Sequence, residues 1–174
     1  MQLQQIKIEY SAEQDRLLMR LASGDRAEIL LWLTRRCVRL LWPLLVKMAE
    51  STPRIALQPT PEARHALLDM EREQALAKAD FCSPYQDVAR ERPLGADPLL
   101  IARINIGQDN QGKHVLTLRP IEGQGVNIAM DDTLLHGLCK VLQDAVDKAQ
   151  WDIKLVLLSS AVAGVPAGAA RTLN

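Results

Sequence analysis

The sequence predicts an α+β protein: an antiparallel sheet built from two hairpin units, in the element order β-β-α-α-β-β-β-α, with long helices packed on one face. Three observations predict it. Residues 5–22 and 98–119 each hold two runs of alternating apolar and polar residues around a polar turn, the period of half-buried strands. Each pair of runs leads toward a stretch whose apolar residues recur at helical spacing, 26–49 and 131–151. Acidic residues stand at the head of both stretches, Asp25 and the pair Asp131 and Asp132, where a carboxylate favours a helix start.

In the first hairpin, Ile6, Ile8 and Tyr10 oppose Gln5, Lys7 and Glu9, and Leu17, Met19 and Leu21 oppose Arg16, Leu18 and Arg20. Asp25 and Glu28 have capping-box spacing, which predicts a core helix over 26–49. Its polar edge is Arg35, Arg36, Arg39 and Lys47. Pro43 removes a hydrogen bond to the carbonyl four residues back, so a kink or a break is expected there. Thr60, Pro61 and Glu62 form a capped helix start. The helix they open is expected to run to about residue 80, with a thin apolar stripe at Ala63, Ala66, Leu67, Met70 and Ala77. Its carboxylates Glu62, Asp69, Glu71 and Glu73 are the expected partners of the arginine edge.

Residues 81–97, with Pro84, Pro93 and Gly95, read as a loop or linker. The second hairpin follows. Leu100, Ala102, Ile104 and Ile106 are expected on one face of residues 98–107, and Leu116 and Leu118 inward on residues 113–119. Val126, Ile128 and Met130 alternate as a fifth strand. The last helix shows a stripe of Leu134, Leu135, Leu138, Val141, Leu142, Ala145 and Ala149, with His136, Lys140, Asp144 and Asp147 on its polar side. Residues 154–158 could add a short strand. Residues 1–160 read as one domain and 161–174 as an Ala/Gly-rich tail expected to be poorly ordered. The two halves share a plan of hairpin, acidic cap and apolar helix, with an extra strand expected in the second.

The chain's 174 residues can bury roughly 70% of the unfolded surface, so no disulfide or metal is needed to hold it. Lys plus Arg and Asp plus Glu are 21 each, giving a formal net charge of zero. That opposes a bulk field for nucleic acid or anionic membrane and removes long-range repulsion between copies. Cys37, Cys82 and Cys139 are odd in number and widely spaced, which suits a reducing compartment. The first residues show no basic segment followed by an apolar run, so no signal peptide is expected. The most apolar stretch, 29–48, contains Arg35, Arg36 and Arg39, which makes a membrane span costly. A cytoplasmic location, no membrane partner and no cofactor are the expectations.

No catalytic or metal motif stands out. His65, His114 and His136 share no ligand spacing and read as surface or rim histidines. Cys139 lies three residues from His136 but on the core side of its helix. Gly107, Gly112, Gly123 and Gly125 fit hairpin turns rather than a phosphate loop. Lys113 falls where a calcium loop needs an oxygen ligand. Asp131 and Asp132 are explained by helix capping. What remains is a basic sheet face: Lys7, Arg16, Arg20, Arg103, Lys113 and Arg119 point outward by alternation, opposed only by Glu9, with Asn105, Thr117 and Asn127 between them.

This face is the candidate interaction surface. The first reading is a non-catalytic protein-interaction or assembly module, self-associating as a homodimer or binding another protein. The alternative is single-stranded nucleic acid on the same face, although no aromatic is expected there to stack bases. A second alternative is an enzyme whose site assembles from distant residues.

Overall fold

A computed structural model of the chain describes residues 3–24, 26–79, 85 and 91–156. The first hairpin forms as its alternation predicts. Strand β1 (Leu3–Ser11) pairs antiparallel with β2 (Arg16–Ser23), setting Ile6 against Leu21, Ile8 against Met19 and Tyr10 against Leu17. Asp15 closes the turn with a φ of 46°, a left-handed conformation that Asp tolerates better than most residues.

The expected helix over 26–49 is corrected in its first third. Glu28–Leu33 is a strand, β3, antiparallel to β2, while Asp25 lies outside the described residues. Ile29, Leu31 and Leu33 point into the core, and Leu30 and Trp32 share the outer side with Arg20 and Leu18. A strand apolar on both sides has no period of two, so periodicity cannot separate it from a buried helix. Helix α1 (Arg35–Glu50) begins at Thr34, whose side chain accepts from the Cys37 amide at 3.1 Å. Pro43 sits inside one continuous helix rather than dividing it. It lies on the exposed side with Arg39, so the Arg39 carbonyl it leaves without a donor faces water.

A single turn, α2 (Pro53–Ala56), leads to α3 (Pro61–Lys78), where Thr60 caps the Ala63 amide. The buried residues of α3 are Leu68 and Ala75, not the predicted stripe; Met70 is exposed. Its contact with the last helix is partly polar, Arg72 on the same face as Leu68 and Ala75 donating to Gln143 Oε1 at 3.3 Å, so the inward face is not the one an apolar stripe marks.

Strand β4 (Leu99–Leu100) runs parallel to β3 and completes a four-stranded sheet, β1-β2-β3-β4. The pairing then changes sheets within one peptide step: the Ile101 amide donates to Trp32, and the Ala102 amide donates to Arg119. Strands β5 (Arg103–Gln108), β6 (His114–Arg119) and β7 (Val126–Met130) form a second, three-stranded antiparallel sheet. The single face expected for Leu100, Ala102, Ile104 and Ile106 is broken at this step: Leu100 and Ala102 are exposed, while Ile101 is buried. Helix α4 (Asp132–Lys148) follows, with Asp131 Oδ1 accepting from Leu134 at 2.7 Å.

The α+β class therefore stands, with two sheets joined by a bent segment. The halves are also more alike than the sequence suggests, since each is a three-stranded meander followed by a long helix. Their helices are exchanged: α4 packs along β1, and α1 reaches β5. Both halves share one buried cluster, from Leu17, Met19 and Leu41 to Leu116, Leu118 and Leu142. Residues 157–158 of the expected 154–158 strand lie outside the described residues, and no strand forms over 151–156. That segment crosses the helices instead, with Trp42 Nε1 donating to the Val156 carbonyl and Gln143 to that of Leu155. The tail 161–174 and most of the linker 81–97 lie outside the described residues.

Candidate interaction face

The structure divides the predicted basic face in two. Lys7, Arg16 and Arg20 lie on the outer side of the first sheet, and Lys7 and Arg20 are register partners. Both have acidic partners. Lys7 Nζ is 2.8 Å from Glu9. Arg20 donates twice to Glu28 Oε1, at 3.0 and 2.8 Å. Glu28 is 3% exposed and accepts further bonds from the Tyr85 hydroxyl at 2.8 Å and from Arg92 at 3.2 and 3.1 Å. Burial pushes its carboxyl up, but the bonds from Tyr85 and Arg20, the Arg20 charge and the Arg92 bond hold it below the usual range. The Tyr85 ring lies 4.5 Å from the Arg20 guanidinium. Around Arg20 the expected open basic surface is a covered, neutralised cluster, while Lys7 and Arg16 stay partly exposed.

The second sheet keeps its outer side open. Arg103 and Arg119 are register partners across β5 and β6, and both are exposed. Asn105, Thr117 and Asn127 form the next row, with Thr117 Oγ1 donating to Asn127 Oδ1 at 2.9 Å. Among the described residues no carboxylate pairs with Arg103 or Arg119. Like charges directly opposite on a sheet repel. Lys113 is not on a strand; it ends a hairpin turn in which Asp109 accepts from the Gln111 and Lys113 amides, and its side chain is exposed beside the sheet.

Two residues that the alternation missed belong to this surface. Trp32 lies half-buried on the outer side of β3, and its register partner Leu100 is 42% exposed at the seam between the sheets. Recognising 28–33 as a strand from its Ile and Trp content would have placed Trp32 there. The arginine edge of α1 also finds other partners than expected. Arg35 pairs with Asp15 at 2.9 Å, Arg39 donates to the Asp152 carbonyl, and Glu71 is taken by Arg54.

The remaining chemistry is sparse. His136 is 2% exposed, contrary to its predicted surface position, and its Nδ1 has no partner. Burial pushes its pKa down, aided by Arg72 and opposed by Asp132. Burial raises the Cys37 and Cys139 thiols to about 12, so neither is a ready nucleophile. Ser51 Oγ lies 3.5 Å from His114 Nε2 but is also 2.9 Å from the Met48 carbonyl, to which it donates. A cleft of about 520 Å³ opens beside it, lined by Arg54, Glu71, Lys78, Lys113, Asp131 and Asp132 among others. Burial raises the Glu71 carboxyl there, Arg54 opposing and Asp132 adding to the shift. Among the described residues no group of three or more His, Cys, Asp or Glu is placed to hold a metal ion. No described helix is long and apolar enough to cross a membrane.

No family model matches the chain, and no curated protein or solved structure matches it either.

Proposed function

We propose that this chain is a non-catalytic protein-interaction module that assembles through its second sheet. The observation that carries the reading is the pair Arg103 and Arg119, opposed on an open sheet face and, among the described residues, in no ion pair with a carboxylate. Two guanidinium groups held together repel, and an acidic protein surface docked on the face would supply the missing counter-charge. Asn105, Thr117 and Asn127 offer hydrogen-bonding groups around them.

Magnitude favours a protein over single-stranded nucleic acid. With Lys7 and Arg20 engaged by Glu9 and Glu28, the open cations on the predicted face are Arg16, Arg103, Lys113 and Arg119. Four phosphate contacts give a log–log salt slope of roughly −3 for single strands, against the 6–10 contacts of strong binders. Among the described residues the strands of the second sheet present no aromatic on that face, and the half-buried Trp32 at the seam is a single ring, whereas stacking on aromatic platforms is the other main source of affinity. Buried, unbridged Cys37 and Cys139 go with a reducing, cytoplasmic setting.

Photo-cross-linking in cells tests this. A photoreactive side chain at Asn105 should give a protein adduct that disappears in the Arg103→Glu/Arg119→Glu variant, while the same probe at Glu73 on α3 gives none. Adducts to nucleic acid would replace the reading with the alternative. Equal labelling from both positions would overturn it.

A further inference from the structure

We propose that the partner is a second copy of this chain, joined along the free edge of β7. The inference rests on reading the second sheet as the docking surface, and it names the occupant of that sheet's edge; the outer face with Arg103 and Asn105 stays open beside the joint. An unpaired strand edge is a template for another strand, and natural sheets blunt their edges with charge, shortness or irregular register. Among the described residues the two sheets have four edges, and three of them are blunted. Strand β1 carries Lys7 and Glu9 and breaks register between Leu3 and Gln5. Strand β4 is two residues long. Strand β5 enters with two exposed residues, Ala102 and Arg103, both facing Arg119. The fourth edge is β7, Val126-Asn-Ile-Ala-Met130, with no charge, no proline and an unbroken register to β6.

Charge complementarity sets the register. Arg119 lies against Gly125, just before the start of β7, where an added Cβ would meet its Cγ at 2.5 Å. Asp131 and Asp132 stand at the strand's other end, both exposed. Antiparallel pairing about Ile128 brings residue 131 of one copy opposite residue 125 of the other, so each Arg119 meets the partner's acidic pair, twice by symmetry. The same register sets Asn127 beside Ala129 of the other copy, which is sterically undemanding. The joined sheet has six strands with its outer faces continuous, and zero net charge leaves little repulsion between copies. A five-residue edge buries less than the ~1,200 Å² at which stable interfaces begin, so the dimer is reversible and concentration-dependent.

Light scattering after size exclusion, over roughly 1–300 μM (a span that brackets weak association), should show the mass rising from 19.3 kDa toward twice that. Ala129→Lys adds a charge to the edge from an exposed position without touching the core, and should hold the chain monomeric with an unchanged circular dichroism spectrum. Arg119→Glu and Asp132→Arg should each raise the dimer Kd about tenfold or more, the cost expected for like charges brought together. The double variant should recover wild-type association. A wild type that stays monomeric throughout, or a dimer indifferent to Ala129→Lys, would overturn the proposal. If the monomer still gives an Asn105 adduct to a different protein that Arg103→Glu/Arg119→Glu abolishes, only the choice of partner fails. If it gives no protein adduct, the reading of the second sheet fails with it.

Discussion

Replacing Glu28 with Gln keeps its shape and removes one charge from the cluster over the first sheet. The Arg20 side chain is 17% exposed and that of Arg92 is 40% exposed. The Arg92 pair therefore counts as a surface pair, worth about 0–1 kcal/mol. The Arg20 pair is largely buried, and breaking such a pair costs about 3–5 kcal/mol, with the lower end apt for a partner that still touches water. Tyr85 can still donate to the amide oxygen. The expected loss is about 3 kcal/mol, which in a domain of this size lowers Tm by roughly 6–12 °C. The sign with pH follows from the depressed carboxyl. A group whose pKa falls on folding stabilises above its unfolded value and loses that contribution as the pH drops through the folded one. Urea melts of wild type and Glu28→Gln should differ fully at pH 7 and converge in strong acid. A difference under about 0.5 kcal/mol at pH 7, the range of ordinary surface substitutions, would refute the assignment of Glu28 as the anchor of this cluster.

Three further outcomes are expected. Folding lowers the pKa of His136, chiefly through burial. Stability should therefore be complete above its unfolded value of 6.5 and fall as the pH drops below it; melts of His136→Leu should lack that acid limb. Thr34→Ala removes the cap at the true start of α1 and should cost about 1 kcal/mol by denaturant titration, whereas a helix starting near residue 26 would be indifferent to it. Gly125→Ala places a Cβ 2.3 Å from the Leu118 carbonyl oxygen. It should destabilise the β6–β7 end by about 1–3 kcal/mol, the usual cost of overpacking, read as faster amide exchange at Val126.

What could be read from the sequence was set by how each segment is buried. The hairpin of β1 and β2 and the inner row of β6 and β7 each bury one side, so alternation names their inner residues correctly. Strand β3 is the exception, because Leu30 and Trp32 fill its outer side and erase the alternation. Missing it hid Trp32 from the surface and moved the start of α1. Helix α3 was misread in rotation because Arg72 and Gln143 supply part of its contact, which an apolar stripe does not record. His136 looked exposed for the same reason: a polar residue was counted as outward while tertiary packing covers it. The division of the basic face was out of reach, since Tyr85 and Arg92 arrive at Glu28 from 57 and 64 residues away.

The measurement that bears most directly on assembly through the second sheet is amide hydrogen exchange over residues 126–130 as protein concentration rises. Pairing along β7 predicts that protection grows there with concentration, while α3 exchanges at a constant rate. Exchange over 126–130 independent of concentration, in a sample whose mass nevertheless doubles, would place the contact elsewhere and contradict the account.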